Sequence, residues 1–425
     1  MVLLEALEDW NPWWENNLVD QSLKGIERDA LTEAVKFLDL NKVKVLTGVR
    51  RAGKSTFLYQ IIDHLLKRVR PEDIVLINFD DIRFSTMDLE AIVKKYIESK
   101  KPTKLNLFLD EIHNARNWVS YVRKLIDTKK GNVFITDSCS YFIPVDYAKL
   151  LTGRKISIEL YPLSFKEYLR FKNLSSDFHG TEERARIRGY LRDYIRSGGF
   201  PETIFLDQSI SKRILVEYFD DIITKDVVSR YGVDYTKVKD LAFYLISNVG
   251  QRITLRKLRN IFNIGIETAK KYLNYLETVY MLFTVKCFSG KVKEQVIMPR
   301  KIYAVDTGLM NAVGFRISES FGSVLENIVF LELKRRGLEI YYGLIDNKEV
   351  DFIVRERMNI TDIINVSYDP LERKTRKREV DAMKQALKKF RRKKGLVLTW
   401  DYKDKINIGN KEIIFKPIYE WLLGY

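Results

Sequence analysis

Residues Gly48 to Thr56 read GVRRAGKST, the spacing G-x-x-x-x-G-K-[ST], directly after the apolar run Val43, Val45 and Leu46. Each position has a use around a chain of phosphates. Gly48 and Gly53 let backbone N–H groups close round phosphate oxygens, Lys54 reaches the terminal phosphates, and the Ser55 hydroxyl is the expected Mg²⁺ ligand. Arg51, Ala52 and Thr56 complete the expected nucleotide-binding set. A helix beginning near Lys54 adds the positive end of its dipole. The chemistry implied is hydrolysis of a nucleoside triphosphate.

A second stretch supports the first. Leu105 to Glu111, LNLFLDE, is an apolar run that ends in two carboxylates, as a buried parallel strand would. Asp110 is the metal-side candidate at the strand end, and Glu111 is placed to polarise the attacking water. His113, two residues on, reads as an ordinary loop or helix-start histidine. A third strand, Asn132 to Thr136, runs into a small polar turn, Asp137 to Ser140. Arg154, in LTGR, is a candidate for stabilising charge that develops on the phosphates.

Taken together, GVRRAGKST, FLDEIHN, ITDS, LTGR, YPLSFKEYL and SGGFPE (Ser197 to Glu202) resemble the archaeal and bacterial AAA-type ATPases that carry a C-terminal domain of unknown function. The resemblance runs from about residue 20 to the end. It implies ATP as the nucleotide, with Mg²⁺, and hydrolysis carried by Lys54, Ser55, Asp110 and Glu111. In that class a polar residue at the third strand's end senses the γ-phosphate, which makes Thr136 and Ser138 candidates.

The elements that must hold these residues follow from length and pattern. A chain of 425 residues exceeds one ordinary core and suggests several domains. A hydrophobic content of 46%, with 12% aromatic residues, excludes a disordered chain. No run reaches the ~18 apolar residues needed to span a bilayer. The start, MVLLEALEDWNPWW, is acidic where a leader would be basic, so the expected location is the cytoplasm. Cys139 and Cys287 lie far apart without metal-ligand spacing, which argues against zinc or a structural disulfide. The fold class is α/β: a P-loop parallel-sheet core over residues 1–160, a helical region over 161–232, a winged helix-turn-helix over 233–293 and a nuclease-like α/β domain over 294–425.

Charge is placed unevenly. Basic and acidic residues number 39 and 36 over residues 1–250 but 34 and 21 over residues 251–425, so a polyanion site belongs to the C-terminal part. Residues 251–300 hold 10 basic and 3 acidic side chains. Just before this block Val238 to Ile246 is apolar at helical spacing, and within it Thr254 can cap a helix through Phe262 and Asn263 to Gly265 makes a turn. An amphipathic helix follows with Ala269, Tyr272, Leu273, Leu276 and Val279 on one side, then a strand from Met281 to Cys287. In a winged helix this places Thr268, Lys270, Lys271 and Asn274 on the exposed side of a DNA-recognition helix.

The last domain resembles the PD-(D/E)XK nuclease fold in its order of elements: Glu326 in a helix, a strand at 340–342, Asp351 in EVDFIV, the strand DIINVS at 362–367 and a basic helix from Glu379. Active members carry a second acid and a lysine where this chain has Asn365 and Ser367. The expectation is therefore a nuclease fold without nuclease activity, with Glu326 and Asp351 structural. Two basic clusters, Arg373 to Arg378 and Lys388 to Lys394, add to the polyanion reading. The whole reads as an AAA+-like ATPase that binds DNA through its C-terminal half. A rival from another class is an ATP-driven signalling switch that binds a protein partner there. Oligomeric state is left open.

Overall fold

The computed structural model describes residues 2–85, 87–137, 151–315 and 321–424; Ser138 and Cys139 lie outside the described residues. The chain forms two compact units, Met1–Tyr161 with Thr278–Tyr280, and Pro162–Glu277 with Met281–Tyr425.

The first unit is built on five parallel strands, β1 (Val43–Thr47), β2 (Ile74–Asn78), β3 (Leu105–Asp110), β4 (Gly131–Asp137) and β5 (Lys155–Glu159), in the order β2-β3-β4-β1-β5. The central strands are apolar at nearly every position because both faces are covered, as parallel sheets require. Alternate residues feed two cores. Val45, Ile77, Leu107, Leu109 and Ile135 face the helices Leu89–Lys100 and Trp118–Asp127. Leu46, Leu76, Phe108 and Phe134 face the helix Lys54–Leu66, which contributes Phe57, Leu58, Ile61 and Ile62. Edge strand β2 is protected by Asn11, whose side chain accepts from the Leu76 N–H at 2.7 Å and donates to its carbonyl at 2.9 Å. Because all five strands are parallel, their carboxyl ends, with Thr47, Asp110 and Asp137, open on one edge of the sheet.

The second unit contains a three-stranded sheet, order β6 (Arg252–Ile253), β8 (Arg300–Ala304), β7 (Leu282–Val285). It also holds a six-stranded sheet with the order β13 (Asp404–Ile408), β14 (Lys411–Pro417), β12 (Lys394–Thr399), β11 (Asn359–Ser367), β10 (Lys348–Glu356), β9 (Glu339–Ile345). The pairs β11·β12 and β12·β14 are parallel, and the remainder are antiparallel. The helix Phe321–Arg335 carries Glu326, and Met383, Ala386 and Leu387 of the helix Arg373–Lys389 pack into the core with Ile353, Val397 and Phe415.

Two expected boundaries fall inside this second unit. The division after Lys293 is crossed by β8, which pairs with both β6 and β7 and buries Ile302, Tyr303 and Ala304. The division after Gly232 also falls inside this unit, where the Asp306 carboxylate accepts from the Gly199 N–H at 2.6 Å. The C-terminal basic helix starts at Arg373 rather than Glu379, since the chain turns helical three residues after Pro370. Among the described residues, no helix is long and apolar enough to cross a membrane.

Candidate functional site

At the carboxyl end of β1 the chain enters the glycine-rich loop, and three of its residues adopt conformations with positive φ: Gly48 at 152°, Arg51 at 69° and Gly53 at 90°. Gly48 is required on spatial grounds as well, because a Cβ there would lie 2.1 Å from the Leu160 carbonyl oxygen. The loop ends in the helix Lys54–Leu66. Its dipole and first-turn N–H groups therefore point into the space the loop encloses. The Lys54 ammonium is buried there and donates to the carbonyls of Gly48 and Val49, both at 3.1 Å. From behind, buried Arg28 supports the loop by donating to the carbonyls of Ala52 at 3.0 Å and Tyr161 at 2.7 Å. No sequence motif marks Arg28, whose value comes only from the segment that folds over the loop.

The acids meet this loop. Asp110 ends β3 and is buried, and its carboxylate is hydrogen-bonded by the Ser55 and Thr136 hydroxyls. Burial holds Asp110 above the ordinary carboxylate range, while those hydrogen bonds and the Lys54 charge oppose the rise. Glu111 follows in a left-handed conformation, φ 48°, and its N–H donates to Thr136 Oγ1 at 3.0 Å. Thr136 thus holds both acidic residues in register. Burial pushes the Glu111 carboxyl up to about 7, against the pull of Lys54 and with Asp110 adding to the rise. The Ser55 hydroxyl beside the Asp110 carboxylate is an oxygen-donor pair of the kind magnesium takes, so the residues present fit that ion.

Arg154 is not brought to this place. It precedes β5 and therefore sits at the amino-terminal edge of the sheet, where its backbone carbonyl accepts from the Val43 N–H at 2.8 Å. Its guanidinium donates to Asp127 at 2.6 Å. Five strand residues separate that edge from the phosphate loop, a span of roughly 13 Å. The cation whose field reaches Glu111, besides Lys54, is Arg50 inside the loop.

His113 was read from the sequence as an ordinary loop residue, yet its Nδ1 lies 3.4 Å from Glu111 Oε2 and 3.7 Å from the buried Asp137 Oδ2. The signal that could have found it was position: it stands two residues past the acidic pair.

In the second unit, Lys270, Lys271 and Asn274 are exposed on the helix Ile266–Thr278 and Thr268 is half-buried, while Ala269, Tyr272, Leu273 and Leu276 face inward. The preceding helix, Leu255–Phe262, is capped by Thr254, which accepts from the Lys257 N–H at 3.2 Å, and it exposes Arg256, Lys257 and Arg259. Part of the later basic block is engaged internally: Arg376 bonds Asp404 and the Tyr402 hydroxyl, and Arg378 bonds Glu379. Lys374, Lys377, Lys388 and Lys389 remain exposed.

Glu326 and Asp351 do converge, but on a lysine. Lys301 Nζ lies 2.7 Å from Glu326, 3.0 Å from Asp351 and 2.5 Å from Glu349. Burial alone would lower the Lys301 pKa; the surrounding tyrosine and carboxylates raise it well above its ordinary value instead. Burial and the Asp351 charge push Glu326 up to about 7, with Lys301 opposing. Asn365 is buried beside this centre, where its amide accepts from the Asp351 N–H at 3.3 Å and donates to Glu379 at 2.7 Å, and Ser367 is buried two residues on.

Residues 40–169 match a family described as an AAA domain, and residues 188–320 match a domain of unknown function, DUF8612, which runs across the boundaries expected at 232 and 293. An uncharacterized protein of Methanocaldococcus jannaschii is 36% identical over 97% of this chain and 94% of its own length. An uncharacterized protein of Haemophilus influenzae is 30% identical over 92% of this chain and 97% of its own. A solved structure of C. elegans PCH-2 aligns over 64% of this chain and 68% of its own at 16% identity, with a TM-score of 0.23, too low to carry an argument.

Proposed function

From the premise that this chain belongs to the AAA-domain family shared by those archaeal and bacterial relatives, we propose that its first unit binds and hydrolyses ATP with Mg²⁺. The observation that carries the reading is the meeting of two sequence-distant elements, Ser55 at the start of the phosphate-loop helix and Asp110 at the end of β3, joined by a side-chain hydrogen bond. In this reading backbone N–H groups of Gly48 to Thr56 and the Lys54 ammonium bind the phosphates. Ser55 and Asp110 would hold the metal ion, whose charge offsets that of the phosphates when bound. Glu111 orients the attacking water and receives its proton, a task suited to a carboxyl raised to about 7. The test is ATP turnover and nucleotide affinity in two variants: Glu111→Gln should bind ATP and lose most turnover, and Lys54→Ala should lose both. Turnover in Glu111→Gln equal to wild type would overturn the assignment.

For the second unit the reading is DNA binding without cleavage. The helix Tyr235–Ser247, β6, two further helices, β7 and β8 follow one another in the order of a winged helix. Its second and third helices expose Arg256, Lys257, Arg259, Lys270 and Lys271, a suitable surface for phosphate contacts. The convergence of Glu326 and Asp351 on Lys301, with Asn365 beside Asp351, supports reading this centre as nuclease-like but inactive. The rival reading, a signalling switch that engages a protein partner, is favoured by one observation. Val292, Val296 and Ile297, between β7 and β8, are more than 60% exposed, an apolar patch that DNA contact does not need.

A further inference from the structure

We propose that His113 is a positioning residue for Glu111, acting with Asp137 as its second anchor. The inference rests on the ATPase reading above and assigns a role to a side chain that reading leaves unused. His113 lies in the single turn Ile112–Asn114 that follows Glu111, so the left-handed residue reverses the chain and brings the imidazole back over the carboxylate. Nδ1 then stands between two acids, 3.4 Å from Glu111 Oε2 and 3.7 Å from Asp137 Oδ2. Asp137, at the end of β4, is fully buried, and Glu111 Oε2 is buried with no hydrogen bond of ordinary length among the described residues.

Two carboxylates facing each other in a dry site repel, and an N–H placed between them offsets that repulsion. One Nδ1 carries one proton. It can be donated to Asp137, at 3.7 Å, or to Glu111, at 3.4 Å, but not fully to both. Donation to Asp137 leaves the Glu111 carboxylate oriented by the imidazole's edge and turned toward the water. Donation to Glu111 draws that carboxylate toward the imidazole and out of position. The buried Asp137 therefore biases the histidine toward the arrangement in which Glu111 is active, as a carboxylate behind an imidazole commonly does. His113 touches neither nucleotide nor water in this scheme and acts through Glu111.

The experiment is steady-state ATP turnover of the full chain, with fluorescent-nucleotide affinity and thermal unfolding measured alongside, for wild type, His113→Ala, His113→Asn, Asp137→Asn and Lys54→Ala. His113→Ala should lower kcat by about 10- to 100-fold while KM and nucleotide affinity stay within about twofold. His113→Asn, whose amide nitrogen can take the place of Nδ1, should recover part of that loss. Asp137→Asn should lower kcat in the same way, and it keeps the test open if His113→Ala fails to fold. Wild-type kcat in His113→Ala or in Asp137→Asn overturns the proposal, as does a His113→Asn protein no faster than His113→Ala. A wild-type protein with no turnover, or a Lys54→Ala protein as active as wild type, sinks the ATPase reading itself and takes this inference with it.

Discussion

Lys301 Nζ lies 3.0 Å from Asp351 Oδ1 in a site where the lysine side chain is 1% exposed. An ammonium group fills the centre of the acidic cluster formed by Glu326, Glu349 and Asp351.

Two consequences of that pairing can be measured. Purified protein should not cut linear, circular or single-stranded DNA in Mg²⁺ or Mn²⁺, because an ammonium already occupies the centre and Asn365 and Ser367 supply neither acid nor amine. Cleavage that disappears in Asp351→Ala would show the opposite. Lys301→Met should cost about 3–5 kcal/mol in denaturant unfolding, since Glu326, Glu349 and Asp351 would lose their shared partner.

Gly48→Ala tests the phosphate loop. A methyl group there meets the Leu160 carbonyl at 2.1 Å on a residue with φ 152°, so the loop must shift. The expected result is loss of nucleotide binding of at least about tenfold, with the sheet still folded by circular dichroism, because a displacement of about 1 Å suffices to misplace such contacts. Affinity equal to wild type would show that the loop tolerates the shift.

The DNA reading is a salt experiment. If about 6–10 phosphates are contacted, affinity should fall roughly 10³- to 10⁵-fold between 50 and 200 mM salt. Replacing Lys270 and Lys271 together by Glu should weaken binding to every DNA sequence, whereas Asn274→Ala should relax a sequence preference, because an amide can pair with adenine. Unchanged DNA affinity in a folded double charge reversal moves the second unit to the protein-partner reading.

Asp306 should leave a mark on the pH dependence of stability. Its carboxyl, buried and raised to about 6, accepts from the N–H groups of Gly199 and Leu309. The unfolded chain takes up this proton near pH 4. Between roughly pH 4 and 6 the folded chain therefore holds more protons, so this group favours folding as pH falls through 6 and opposes it as pH rises. Asp306→Asn removes the titration. Wild type minus variant stability should decline by roughly 2–3 kcal/mol from pH 4 to pH 8, and a flat difference would show that the carboxyl titrates alike in both states.

The parts of the fold that were legible are those written in contiguous residues. Leu105 to Asp110 is a strand because its apolar run is unbroken, Lys54 opens a helix because the glycine loop delivers it there, and Thr254 caps the next helix as its spacing suggested. Arg154 shows the complementary limit. LTGR states that an arginine exists but not at which edge of the sheet it stands, and strand direction puts it opposite the phosphate loop, paired with Asp127. The boundary at Lys293 likewise rests on local pattern, whereas the pairing of β8 with β6 joins residues about fifty positions apart.

The sequence by itself determined the phosphate loop, the acidic pair that follows β3, the basic excess of the C-terminal part and the order of helices and strands, because each depends on neighbours a few residues away. Only the tertiary structure decided which side chains share a charge. Ser55 with Asp110, His113 with Asp137, and Lys301 with Glu326, Glu349 and Asp351 are brought together by the packing of elements remote in sequence. Electrostatic interaction depends on distance through space and on burial, and local sequence pattern encodes neither.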